Sequence, residues 1–137
     1  MKVNKVDHIC IAVKDLDEAR KVWEPVLGKS KPDDAYVDEP EKIRVARYWV
    51  GEVGFELMES TAPDGDVAKF IEKRGEGIHH IAFDVDDIFA EMKRLQNEGF
   101  QLINEKPKRG ADNKLVCFLH PKTTNGVLIE LCQEIKE

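Results

Sequence analysis

The chain carries one pattern twice, and that repeat limits its fold more than any other feature. VDHICIAVKDLDEA at 6–19 lies over IHHIAFDVDDIFAE at 78–91. Val6 then meets Ile78, His8 meets His80, Ile9 meets Ile81, Val13 meets Val85 and Asp15 meets Asp87. The match resumes downstream, where VGFELME at 53–59 resembles VLIELCQ at 127–133 and Glu56 falls over Glu130. Each copy alternates like a strand, changes to helical spacing and returns to strands. Self-similarity of this kind points to two like supersecondary units. The chain therefore reads as α+β, a single domain over 1–137 made of two tandem βαβββ modules. The modules cover approximately 1–62 and 75–137, with a connecting helix at approximately 66–74.

Local signals agree with this division. Asp15 with Glu18 forms a capping-box-like helix start, and Asp87 can cap the second helix, IFAEMKRLQNEG. Gly28 and Gly99 stand where the two helices should stop. The later strands are expected at 43–50 and 52–59 in the first half, and at 100–104, 114–119 and 126–133 in the second. KSKPDDAYVDEPE (29–41) and NEKPKRGADNK (104–114) carry the Pro, Gly and charges of loops. STAPDGDVAKFIEKRGEG (60–77) reads as a turn, a short helix capped by Asp64 or Asp66, and a glycine-rich link.

Side chains alternate along a strand, so the adjacent His79 and His80 face opposite ways. His79, Ile81, Phe83 and Val85 share the bulky face, and His80, Ala82 and Asp84 the other. In the first copy Ile9, Ile11 and Val13 oppose His8, Cys10 and Ala12. The bulky faces should pack on helices and the small faces should line a hollow. Glu56 sits between Phe55 and Leu57, and Glu130 between Ile129 and Leu131. A carboxylate in a buried strand is costly unless it is paired or binds a metal. Two histidines and two glutamates on the small faces therefore suggest a divalent metal site. Imidazole and carboxylate suit Zn²⁺, Co²⁺, Ni²⁺ or Mn²⁺.

The net charge of −6 argues against nucleic acid as a partner. No apolar run has the length of a membrane span, and MKVNKVDHICIAV lacks the apolar stretch of a signal peptide. Cys10, Cys117 and Cys132 lie in apolar runs without metal-type spacing, as reduced thiols of a cytoplasmic protein would. No orienting third group accompanies Cys10 or Cys117, so neither reads as a nucleophile. KPKRG (106–110) is a basic loop, solvated or able to meet phosphates.

DHICIAVKDLDEA, GFELMEST, VAKFIEKRGEGIHHIAFDVDDI and FLHPKTTNGVLIEL together resemble the vicinal-oxygen-chelate (glyoxalase/bleomycin-resistance) superfamily, and within it the methylmalonyl-CoA epimerases. The resemblance covers almost the whole chain. HPK followed by GVLIEL is its most specific part. It implies a half-open, metal-holding β-barrel and a homodimer. It places the metal ligands on His8, Glu56, His80 and Glu130, the same four residues that alternation and the repeat select. Some epimerases carry Gln at the position of Glu56; the extra carboxylate here should weaken the metal slightly as a Lewis acid. The implied reaction interconverts (2R)- and (2S)-methylmalonyl-CoA, in propionate metabolism, by C2 proton abstraction through a metal-stabilised enolate. Glu130 is the natural acid–base group. The second such group of some epimerases falls at Val45; Glu39 and Glu41 read as surface charges. Lys122, with the Lys106, Lys108 and Arg109 loop, could meet the phosphates of an acyl-CoA, and His120 could orient the Lys122 loop. Two other readings share the fold: a glyoxalase I-like lyase acting on a thiol adduct, and a non-catalytic small-molecule-binding protein.

Overall fold

The computed structural model describes residues 3–136. The chain divides into two compact units, residues 8–79 and residues 1–7 with 80–137. The boundaries cut two strands. β1 (Val3–Ala12) gives its first residues to the second unit, and β5 (Gly77–Val85) gives its first residues to the first.

The first unit contains α1 (Leu16–Leu27), β2 (Asp34–Asp38), β3 (Ile43–Val50), β4 (Val53–Ser60) and α2 (Asp66–Arg74). Its strands run in the order β2-β3-β4-β1. β1 and β4 are parallel, with His8 opposite Gly54 and Cys10 opposite Glu56. β3 is antiparallel to both β2 and β4. Helix α1 starts where expected, the Asp15 carboxylate accepting the Glu18 N–H at 3.1 Å. It ends at Gly28, whose φ of 69° is the left-handed conformation that favours glycine. Pro25 occupies its last turn.

Both faces of this unit are covered. Trp23 and Leu27 of α1 pack with Ile11, Val13, Leu16, Tyr48 and Leu57, the bulky face of the sequence reading. The Tyr48 hydroxyl, fully buried, donates to Glu24 Oε2 at 2.5 Å, and Arg20 Nε donates to the same oxygen at 2.7 Å. Burial, and then the hydrogen bond to Glu24, push the Tyr48 phenol well above its ordinary range, so it stays a donor. The small face is not an open hollow along its whole length. Cys10, Ala12, Val45 and Met58 are sealed by Val67, Phe70 and Ile71 of α2. Small residues here admit a helix.

The second unit contains α3 (Ile88–Asn97), β6 (Lys108–Gly110), β7 (Lys114–Leu119) and β8 (Leu128–Glu134) in addition to most of β5. Its strands run β5-β8-β7-β6, with β5 parallel to β8 and the other pairs antiparallel. Phe83, Val85, Cys117 and Leu131 pack against Ile88, Met92 and Leu95 of α3, as the bulky-face reading requires. Ala82, Val116 and Cys132 form a small cluster on the other face.

Four local expectations are corrected. The stretch 29–41 holds strand β2, whose only inward anchor is Tyr36, packed at the edge of the α2-covered cluster. The expected strand 100–104 is reduced to one bridge, Leu102 to Leu119. The stretch 104–114 contains β6. Helix α2 is capped by Gly65 without a side-chain bond, because Asp64 pairs instead with Lys42 at 2.6 Å and Asp66 is already helical. Asp87 does cap α3, accepting the Ala90 N–H at 3.1 Å. Asp87→Ala should therefore cost about 1 kcal/mol, read as a lowered Tm with unchanged far-UV circular dichroism. An unchanged Tm would mean that water replaces the cap without loss. Among the described residues no helix is long and apolar enough to cross a membrane.

Candidate active site

In each unit a histidine on the strand before the helix and a glutamate on a later parallel strand occupy matching places. His8 stands opposite Gly54, two residues before Glu56; His80 stands opposite Leu128, two residues before Glu130. The two registers are identical, so the internal repeat is a repeat of ladder geometry as well as of letters. Two residues is one full pleat. Each glutamate is therefore on the same side of its sheet as the histidine of its pair.

In the second unit the pair is brought together directly. His80 Nε2 lies 3.3 Å from Glu130 Oε1, and both residues are buried. Phe118, opposite Glu130 on β7, sets its ring edge-on to the His80 imidazole, with centroids 5.8 Å apart. The aromatic wall limits the rotamers open to the imidazole and excludes water from one side of it.

The first unit differs at one position that the sequence reading passed over. Opposite Glu56, where Phe118 stands in the other copy, is Arg47. Arg47 Nε donates to Glu56 Oε2 at 3.1 Å, and both side chains are only 8% exposed. Cys10 Sγ lies 3.3 Å from the other oxygen, Glu56 Oε1. The buried Glu56 carboxylate thus has a counter-ion across its ladder, which the metal expectation did not include. Arg47 was legible by the rule that selected Glu56: a charged residue within the apolar run VARYWV, on the same pleat face as Val45. Gly54 lets His8 sit close, since a Cβ there would lie 3.4 Å from that of His8.

Val45 is buried among Cys10, Ala12 and Met58 and carries no titratable group. Glu39 and Glu41 are exposed in the turn between β2 and β3. His79 faces away from His80, with its ring 5.0 Å from Phe70 of α2. Lys122 is exposed on the turn after β7, where His120 Nδ1 accepts its main-chain N–H at 3.0 Å, so His120 does orient that loop. Lys106, Lys108 and Arg109 are exposed. The three cysteines are buried and form no disulfide. Burial pushes the Cys117 thiol up to about 12 and also raises that of Cys132, which favours the neutral thiol at both.

Residues 7–118 match the Glyoxalase/Bleomycin resistance protein/Dioxygenase superfamily model. An uncharacterized protein of Bacillus subtilis is 40% identical over 131 residues, covering 96% of this chain and 93% of that protein. The ethylmalonyl-CoA/methylmalonyl-CoA epimerase of Cereibacter sphaeroides is 37% identical over 134 residues, covering 96% and 98%. A structure of Streptomyces coelicolor methylmalonyl-CoA epimerase in complex with 2-nitronate-propionyl-CoA superposes with a TM-score of 0.87 at 32% identity, covering 98% of this chain and 100% of that one. With the repeated βαβββ register and a near full-length match to both sequence and fold, the chain belongs to the glyoxalase/bleomycin-resistance/dioxygenase superfamily, among its methylmalonyl-CoA epimerase-like members.

Proposed function

We propose that this chain is a metal-dependent epimerase that interconverts (2R)- and (2S)-methylmalonyl-CoA. The observation that carries the reading is the buried His80–Glu130 pair, in a chain similar to epimerases over nearly its full length. The proposed metal ligands are His8 and Glu56 in one unit and His80 and Glu130 in the other. The shared register supports that set. Two neighbouring ligand atoms, each about 2.1 Å from an ion, lie about 3 Å apart; His80 and Glu130 hold theirs at 3.3 Å. Two imidazoles and two carboxylates suit Co²⁺, Zn²⁺, Ni²⁺ or Mn²⁺. Such an ion, when bound, supplies Lewis-acid polarisation of a thioester carbonyl.

The residues divide the remaining work. Glu130 is the group that takes the C2 proton, since it is a buried carboxylate with one oxygen 3.3 Å from His80 Nε2. The position offered for a second acid–base group is Val45, and an apolar residue sealed beneath α2 moves no proton. Return of the proton on the opposite face falls to water or to another group. Lys122, exposed on its ordered turn, is assigned to the CoA phosphates.

The test follows the proton. Protein loaded with Co²⁺, incubated with (2R)-methylmalonyl-CoA in D₂O, should place deuterium at C2 and lose stereochemical purity at matching rates. No exchange with Co²⁺, Mn²⁺, Ni²⁺ or Zn²⁺ sinks the proposal.

A further inference from the structure

We propose that Arg47 is a positioning residue that cancels the charge of Glu56, so that this glutamate acts toward a bound cation as a neutral oxygen donor. The inference rests on the metal-site reading above and deepens it. The extra carboxylate of the sequence reading would by itself make a bound ion a poorer Lewis acid; Arg47 removes that penalty.

The geometry is specific. Arg47 Nε donates to Glu56 Oε2 at 3.1 Å inside the protein, where an ion pair is screened far less than in water. Its Nη2 donates to the Tyr36 hydroxyl at 3.2 Å. The guanidinium carbon sits 5.4 Å from the Tyr36 ring centroid and 5.6 Å from that of Trp49, near enough for both ring faces to hold the cation. Asp34 also approaches Arg47, but at 3.8 Å and with its side chain half exposed, so it competes weakly with Glu56 for the charge. Glu56 Oε1, the other oxygen of the carboxylate, receives the weak Cys10 thiol contact at 3.3 Å. That oxygen is the one a cation can take by displacing a thiol rather than a guanidinium. The second copy has Phe118 at the place of Arg47. Of two glutamates related by the repeat, Glu56 has a guanidinium directly across its ladder and Glu130 has a phenyl ring there.

The experiment is a double-substitution cycle read as Co²⁺ affinity, by competition with a chromophoric chelator, and as the Co²⁺ absorption spectrum. Glu56→Gln should weaken Co²⁺ binding by about tenfold or more, because it leaves an uncompensated buried cation beside the ion. Adding Arg47→Met to Glu56→Gln should restore affinity to near the wild-type value. Arg47→Lys should keep wild-type affinity with a shifted spectrum, since the charge stays and the two-point hold is lost. The restoring arm does not depend on Arg47→Met alone, which leaves Glu56 buried without its partner and could fail to fold. If the double substitution binds Co²⁺ no better than Glu56→Gln, the charge-cancelling role is wrong while the metal site stands. If the wild-type protein binds none of Co²⁺, Mn²⁺, Ni²⁺ and Zn²⁺, the metal reading fails and this inference with it.

Discussion

Glu130→Gln should slow C2 proton exchange by about a thousandfold or more, the largest loss expected from any isosteric change in this chain. Glutamine preserves the shape of the side chain between its ladder partners, Ala82 on one side and Phe118 on the other. What disappears is the basic oxygen 3.3 Å from His80 Nε2. If Glu130 moves the proton, deuterium incorporation and loss of stereochemical purity fall together, and circular dichroism and Tm stay near wild type. Metal content separates its two assigned roles. Retained Co²⁺ with lost exchange marks Glu130 as the base. Loss of both marks it first as a ligand. Retention of full exchange removes it from the mechanism.

Glu56→Gln is the informative counterpart. The two glutamates correspond in the repeat, but only Glu56 lies opposite an arginine. Its loss should act on metal affinity before it acts on the proton step. Similar kinetic effects of both changes would mean that the functional asymmetry drawn from Arg47 and Phe118 does not exist.

The sequence held much of this, and what it withheld has physical reasons. Strand–helix periodicity located α1, α3 and the long strands because each pairs an amphipathic pattern with a side-chain cap, Asp15 or Asp87. β2 escaped because it is an edge strand of mixed polarity with a single apolar anchor, Tyr36. β6 escaped because three residues carry no periodicity. Alternation assigned faces correctly but could not say what covers them. The small face of β1 reads the same whether it lines a hollow or receives α2, and in the Cys10–Ala12 stretch it receives α2. The same limit hid Arg47. A lone glutamate in an apolar strand suggests a metal or a counter-ion equally well. Only the β3–β4 register shows that the counter-ion is nine residues upstream, directly across the ladder.

The adjacent histidines offer the sharpest test of register. His80→Ala should abolish stoichiometric Co²⁺ binding, while His79→Ala should leave it intact. The two side chains leave β5 on opposite faces and meet different partners: His80 meets Glu130 and Phe118, and His79 meets Phe70 of α2. Truncating His79 removes its ring contact with Phe70 of α2, worth about 1 kcal/mol. Its signature is a lower Tm with unchanged metal stoichiometry. Truncating His80 removes an imidazole donor and leaves a void beside Glu130 that water can enter. Added imidazole should then recover part of the binding in His80→Ala and none of the stability in His79→Ala. A one-residue slip of β5 would exchange these outcomes, because it carries every side chain to the other face. Metal loss on truncating His79 would therefore overturn both the face assignment and the ligand set built on it.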